Sequence, residues 1–303
     1  SNEKNIARLA DIKNNMQQLA DPRQLSESQA QKLIESVPAV TWLSYSVHGN
    51  EISSTEAAMA TAYHLLASTN DPVAKAAMDE TVTVLVPVQN PDGRDRFVHH
   101  FEMARGPVAD ANMDSAEHNE PWPRGRTNHY LFDLNRDWFA QTQPEIRAHA
   151  KAFLEWMPVA FVDAHEMGSD STYFFAPEAE PYNPFITAEQ RASLIMFGKT
   201  NAKRFDHFGI DYFTREVFDA FYPGYGASWP IYHGAIAMTY EQASARGLIA
   251  TRYDGSQFSY AETVRNHFVA SLATIETVAS NRQKLLQQFY EYRRSAIEIG
   301  SKG

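Results

Sequence analysis

Residues 40–67 read VTWLSYSVHGNEISSTEAAMATAYHLLA, and the order of events inside them decides the fold. Val40–His48 is rich in β-branched and aromatic residues without a helical repeat, which predicts a strand. Glu51–Ala67 is rich in alanine, leucine and glutamate, which predicts a helix starting at once. A strand running straight into a helix is the unit of an α/β sheet. Working outward, TVTVLVPVQ (81–89), PVAFVDAH (158–165) and AIAMTYEQ (235–242) predict three more strands. Helices are predicted over 4–19, 27–36, 143–156, 188–207 and 260–297, and Ser26 with Gln29 forms a capping-box pattern before the second. Asn90-Pro91-Asp92-Gly93 reads as turn chemistry, and 94–130, 166–187 and 211–232 read as irregular. Strands alternating with helices give an α/β class: a mixed, mostly parallel twisted sheet with helices on both faces. No linker splits it, so one domain is expected over 1–303.

Composition narrows the function classes. The chain has 303 residues, 44% hydrophobic and 21% charged, as in ordinary globular proteins. Lys and Arg number 27 against 37 Asp and Glu, a net charge of −10, which argues against nucleic acid as a partner. There is no cysteine, which excludes thiolate metal sites and a cysteine nucleophile. No apolar run approaches the ~20 residues of a bilayer span. The opening, SNEKNIARLADIK, is polar and shows no export signal; entering directly on a helix suggests a domain excised from a longer precursor.

Open α/β sheets place their sites at the carboxyl ends of the strands. There the four strands deliver His48 and Glu51, the Asn90 turn, Asp163 and His165, and Glu241. His48 and Glu51 are three apart at a strand-to-helix junction, a spacing that turns imidazole and carboxylate to one side. With His165 they form a His₂Glu set, a catalytic zinc arrangement that leaves a position for water. Alone, a His-x-x-Glu is more often a capped helix start with a surface histidine than a metal site. Asp133 and Asp163 could each hold the second ring nitrogen of a ligating histidine, though Asp163 also suits a structural place on its strand. Arg124, Arg126 and Arg136 offer guanidiniums for carboxylate capture; for Arg124 a solvated surface place is favoured.

His48-x-x-Glu51, Asn90-Pro91-Asp92-Gly93, Asp133-x-Asn135-Arg136, His165 and Glu241, in that order, resemble the zinc carboxypeptidases related to pancreatic carboxypeptidase A. The resemblance runs from about residue 40 to the C-terminus. It implies one Zn²⁺ per chain on His48, Glu51 and His165, with Glu241 as general base and then general acid. It further implies that Asn135 and Arg136 hold the terminal carboxylate of a peptide substrate. Arg126 would polarise the scissile carbonyl, with Arg124 as its rival. Tyr222 would be the mobile tyrosine closing over the substrate, with Tyr225 as the alternative. The family's early edge strands are missing before residue 40, so a domain truncated at its N-terminal edge is expected. Asn50 stands where digestive members carry arginine, a feature shared with the aspartoacylase and succinylglutamate desuccinylase branch. Ala227 and Ser228 fall near the expected specificity pocket and name no side chain. The implied activity is hydrolysis of the C-terminal peptide bond, on peptides or cell-wall peptides. A deacylase of N-acyl amino acids is the alternative, and an inactive peptide- or glycan-binding domain is a third reading. The resemblance to secreted peptidases points to a periplasmic or secreted location.

Overall fold

All four predicted strands form, and they lie parallel to one another. A computed structural model describes residues 1–302. In chain order the elements are α1 (Glu3–Ile6), α2 (Leu9–Ala20), α3 (Glu27–Ser36), β1 (Ala39–Tyr45), α4 (Ser54–Ala67), α5 (Pro72–Glu80), β2 (Thr81–Val86), α6 (Pro91–Ala104), α7 (Pro144–Trp156), β3 (Ala160–Met167), β4 (Tyr173–Phe174), α8 (Ala188–Phe208), β5 (Ile236–Ala243), β6 (Ile249–Thr251), β7 (Gln257–Ser259), α9 (Tyr260–Ser280) and α10 (Arg282–Gly300). The main sheet has the order β2-β1-β3-β5-β4, and only β4 runs antiparallel. β6 and β7 form a separate hairpin.

Alternation along the strands sorts side chains onto two cores. Val162 and Ala164 of β3, with Met238 and Tyr240 of β5, join the core that contains Val278 of α9 and Phe197 of α8. Phe161 and Ala237, one residue out of phase, join Ile146 and Phe153 of α7 on the opposite face. The sheet is therefore covered on both sides, and its strands are nearly continuous apolar runs, as parallel sheets require. Register pairs Tyr45 with Ala164 and His165 with Glu241. The carboxyl ends of β1, β3 and β5 thus meet at one edge.

Several expectations are corrected. Residues 94–130 are not wholly irregular, because the Asn90-Pro91-Asp92-Gly93 segment opens α6. Asn90 caps the helix by accepting the Gly93 N–H, and Pro91 occupies the first helical position, where its missing N–H costs nothing. Phe97 and Phe101 supply the helical spacing. Strand β1 stops at Tyr45 and α4 starts at Ser54, so residues 46–53 are a loop. Asn281 divides the C-terminal helical tail in two. Helix α5, the short β4 and the β6–β7 hairpin carry too little periodicity to have been anticipated. Among the described residues no helix is long and apolar enough to cross a membrane.

Candidate metal centre and active-site cleft

Residues 46–53 carry His48 and Glu51 off the end of β1, and β3 brings His165 to them. One donor atom from each of the three side chains lies within 4.8 Å of the others, and all three residues are buried. His48 Nδ1 is 2.6 Å from Glu51 Oε1, and His165 Nδ1 is 2.9 Å from Glu51 Oε2. The opposite ring nitrogens are held by carboxylates: His48 Nε2 by Asp133 at 2.9 Å, His165 Nε2 by Asp163 at 3.0 Å. A carboxylate on Nε2 fixes the tautomer with the proton there and turns the Nδ1 lone pair to the common point. That is the donor set and orientation a zinc ion needs, so the residues fit the metal.

The electrostatics agree. Burial pulls the His48 imidazole down, but the Glu51 charge and the Asp133 bond outweigh it, and the net shift is upward. His165 is likewise pulled down by burial and raised well above the usual histidine range by Asp163 and Glu51. Burial would raise the Glu51 carboxyl, yet the two imidazoles hold it far below the ordinary carboxylate range. Two buried histidines that favour positive charge mark a negative potential, which is what attracts a divalent cation.

Backbone packing makes this geometry. Asn90 is fully buried, and its side-chain amide donates to Val47 O at 3.1 Å and Arg126 O at 3.2 Å. The Asn-Pro-Asp-Gly segment thereby ties the His48 loop to the Arg126 loop. Gly49 is required, since a Cβ there would sit 2.0 Å from the Arg94 backbone nitrogen. Asn50 donates to Glu120 at 2.7 Å, and Glu120 also accepts the Gly125 N–H at 2.7 Å, so position 50 anchors the same loop. Gln89 donates to Asp163 at 3.0 Å behind His165. A Cβ at Gly226 would meet Asp163 Oδ2 at 2.2 Å, so only glycine lets that segment close over the carboxylate.

A cavity of about 350 Å³ opens over the three donors, and Glu241, Arg126, Asn135, Arg136, Thr239 and Tyr225 are among the residues lining it. Burial pushes Glu241 up to about 8, with Glu51 adding to the rise and the imidazoles opposing it. Arg126 bonds Asp133 at 2.9 Å and places Nη1 3.3 Å from His48 Nδ1. Arg124 does not line the cavity; its carbonyl accepts from Arg96. Asn135 is turned inward: its oxygen accepts the Gly226 N–H at 2.6 Å, and Nδ2 lies 3.1 Å from His165 Nε2. Arg136 stacks on the Tyr225 ring at 4.8 Å. Tyr222 lies outside the cavity wall with its hydroxyl on Arg136 O at 3.3 Å, so Tyr225 is the tyrosine the fold puts in the cleft. Ala227 and Ser228 are buried away from the cavity, whose further walls include Val217 and Phe218.

A family model described as zinc carboxypeptidase matches residues 24–241. This chain belongs to the zinc carboxypeptidase family. No curated protein matches the sequence. Among solved structures, the chain is similar to a metallo-carboxypeptidase from Pseudomonas aeruginosa, solved in complex with (2-guanidinoethylmercapto)succinic acid. The two share 18% identity, with a TM-score of 0.59, over 82% of this chain and 58% of that one. A metallo-carboxypeptidase from Burkholderia cenocepacia gives 16% identity and a TM-score of 0.59 over 81% and 58%. At such identities the likeness is one of fold, and this chain spans under two thirds of either neighbour's length. The zinc carboxypeptidase family uses zinc, and here the His48–Glu51–His165 triad is positioned for it.

One residue at the centre carries no motif of its own. Glu166, directly after His165, is buried and bonded to the loop that follows Glu51. Its only sequence signal is a second acidic residue at a strand end.

Proposed function

We propose that this chain is the catalytic domain of a zinc-dependent carboxypeptidase that releases the C-terminal residue of peptides. The observation carrying this reading is that the metal-ligand set, Glu241 and the guanidiniums of Arg126 and Arg136 line one cavity. A carboxylate-binding group, a proton carrier and a cation site in one cleft are the parts such a hydrolysis needs.

His48, Glu51 and His165 would hold a zinc ion, which would supply the Lewis acidity needed to make water a competent nucleophile near neutral pH. Glu241 accepts a proton from the attacking water and returns it to the departing amine. Its raised pKa suits a carboxyl that exchanges a proton near neutrality. Arg126, anchored by Asp133, presents its free donors to the carbonyl oxygen as negative charge develops there. Arg136 receives the terminal carboxylate in a planar fork, and Tyr225 backs that fork. Fixing the carboxylate selects the amide one residue away.

The test is a pair of matched peptides, one with a free and one with an amidated C-terminus, together with Arg136→Lys. Amidation should abolish most turnover. Arg136→Lys should raise KM and lower kcat with zinc content unchanged, because a misplaced carbonyl loses its attack geometry. Equal cleavage of both peptides refutes the reading. Cleavage confined to single N-acyl amino acids, with tri- and tetrapeptides untouched, would assign the chain to the deacylases instead.

A further inference from the structure

We propose that Glu166 is the positioning residue of the metal centre, its buried carboxylate locking the Glu51 loop to His165 and to the Glu241 strand. The inference rests on the metal-centre reading above. The lock runs in both directions. The Glu166 backbone N–H donates to Glu51 Oε2 at 3.1 Å. In return, its carboxylate accepts the backbone N–H of Ile52 at 2.9 Å and of Ser53 at 2.7 Å, the two residues that follow Glu51. The Ser53 hydroxyl donates to the same carboxylate, and so does that of Ser244. Ser244 lies three residues beyond Glu241, and its N–H donates to Met167 O at 3.2 Å. One carboxylate therefore joins the three segments that carry Glu51, His165 and Glu241.

A carboxylate is specifically required. Helix α4 starts at Ser54, and its cap residue Ser53 makes no capping bond of its own. The free N–H groups ahead of that helix need an acceptor, and an anion at a helix N-terminus is favoured by the dipole. Oε1 takes the two donors of Ser53, and Oε2 takes Ile52 N–H and the Ser244 hydroxyl. Glutamine matches the shape but offers one acceptor oxygen, so its NH₂ would face a backbone N–H, donor against donor. Serine hydroxyls can rotate away, but a backbone N–H cannot. The relief open to the structure is a shift of residues 51–53, and Glu51 moves with them.

The experiment compares Glu166→Gln with the parent chain in zinc affinity, measured by competition with a chromophoric chelator, and in the visible spectrum of the cobalt(II)-substituted protein. Glu166→Gln should bind zinc about 10- to 100-fold more weakly, the usual effect of losing an outer-shell partner, with a changed cobalt spectrum. Circular dichroism and cooperative unfolding of the metal-free protein should persist. Zinc affinity within about twofold of the parent, with superimposable cobalt spectra, overturns the proposal. Should the glutamine variant fail to fold, Glu166→Asp decides. It keeps the charge but shortens the side chain by one methylene, so the carboxylate can no longer accept the Ile52 and Ser53 N–H groups in place; zinc binding should weaken several-fold, and unchanged binding overturns the proposal. A parent chain that takes up no zinc would instead sink the metal centre itself, an outcome distinct from a variant that matches a zinc-binding parent.

Discussion

Glu178 gives the sharpest quantitative prediction, because its carboxyl does no visible structural or catalytic task. It is 2% exposed, and neither oxygen has a hydrogen-bond partner among the described residues. Its backbone is well held: the Tyr182 hydroxyl donates to its carbonyl at 3.0 Å, and the next residue's N–H donates to Phe218 O at 2.8 Å. Burial pushes the carboxyl up to about 7; the nearby backbone amides of Glu178 and Thr239 offset part of this without reaching hydrogen-bond geometry. For an acid with a raised folded pKa, the native state pays nothing while both states are protonated. The cost appears above the unfolded pKa of 4.5 and grows until the pH passes the folded value. Stability should therefore fall between about pH 5 and pH 8 by roughly 2.5 kcal/mol from this one group.

Glu178→Gln removes the ionisation and keeps the shape. The assay is urea unfolding of parent and variant across that pH range at one fixed zinc concentration, so that the difference between the two isolates residue 178. The curves should nearly coincide at pH 5 and separate as pH rises. At pH 8 the variant should be more stable by about 1–3 kcal/mol, the lower end allowing for an amide that is itself unsatisfied. A pH-independent difference, or a variant less stable at pH 8 than at pH 5 relative to the parent, refutes the reasoning.

Two further outcomes concern the centre. Glu241→Gln should retain zinc but lose at least ~100-fold in turnover, as removal of a general base does; full activity in single-turnover assays would move the proton transfer to another residue. Zinc affinity should fall as pH drops through the raised pKa values of His48 and His165, because protons compete for the same Nδ1 lone pairs, and a chelator titration with no pH dependence would contradict that ligand set.

How much of this was legible in the sequence depends on the range of the interaction concerned. The four parallel strands and the donors at their ends are written in contiguous runs, since a buried parallel strand is apolar along its length and its polar end residue stands out. His48, His165 and Glu241 could be named because each stands at the end of such a run, and Glu51 because it follows His48 at a three-residue spacing. The start of α6 departs from the turn its residues suggest, since proline, aspartate and glycine together serve a turn and a helix N-terminus equally, and only Phe97 and Phe101 beyond them distinguish the two. Arg126 and Arg124, two residues apart in a loop, have no periodicity to separate them. What selects Arg126 is tertiary packing that no periodicity encodes: Asn90, 36 residues away, holds its carbonyl, while Glu120 holds the Gly125 N–H and Asp133 its guanidinium within the loop itself. Tyr222 and Tyr225 are separated the same way, by the position of Arg136. Glu166 is the extreme case, for its partners lie 113, 114 and 78 residues away and no local pattern encodes them. Donor identity is thus a local property of the chain, while donor orientation is a property of buried polar contacts between distant segments. Substitutions at Asn90, Gly226 or Glu166, none of them a ligand, should for that reason disturb the centre as surely as substitutions near its mouth.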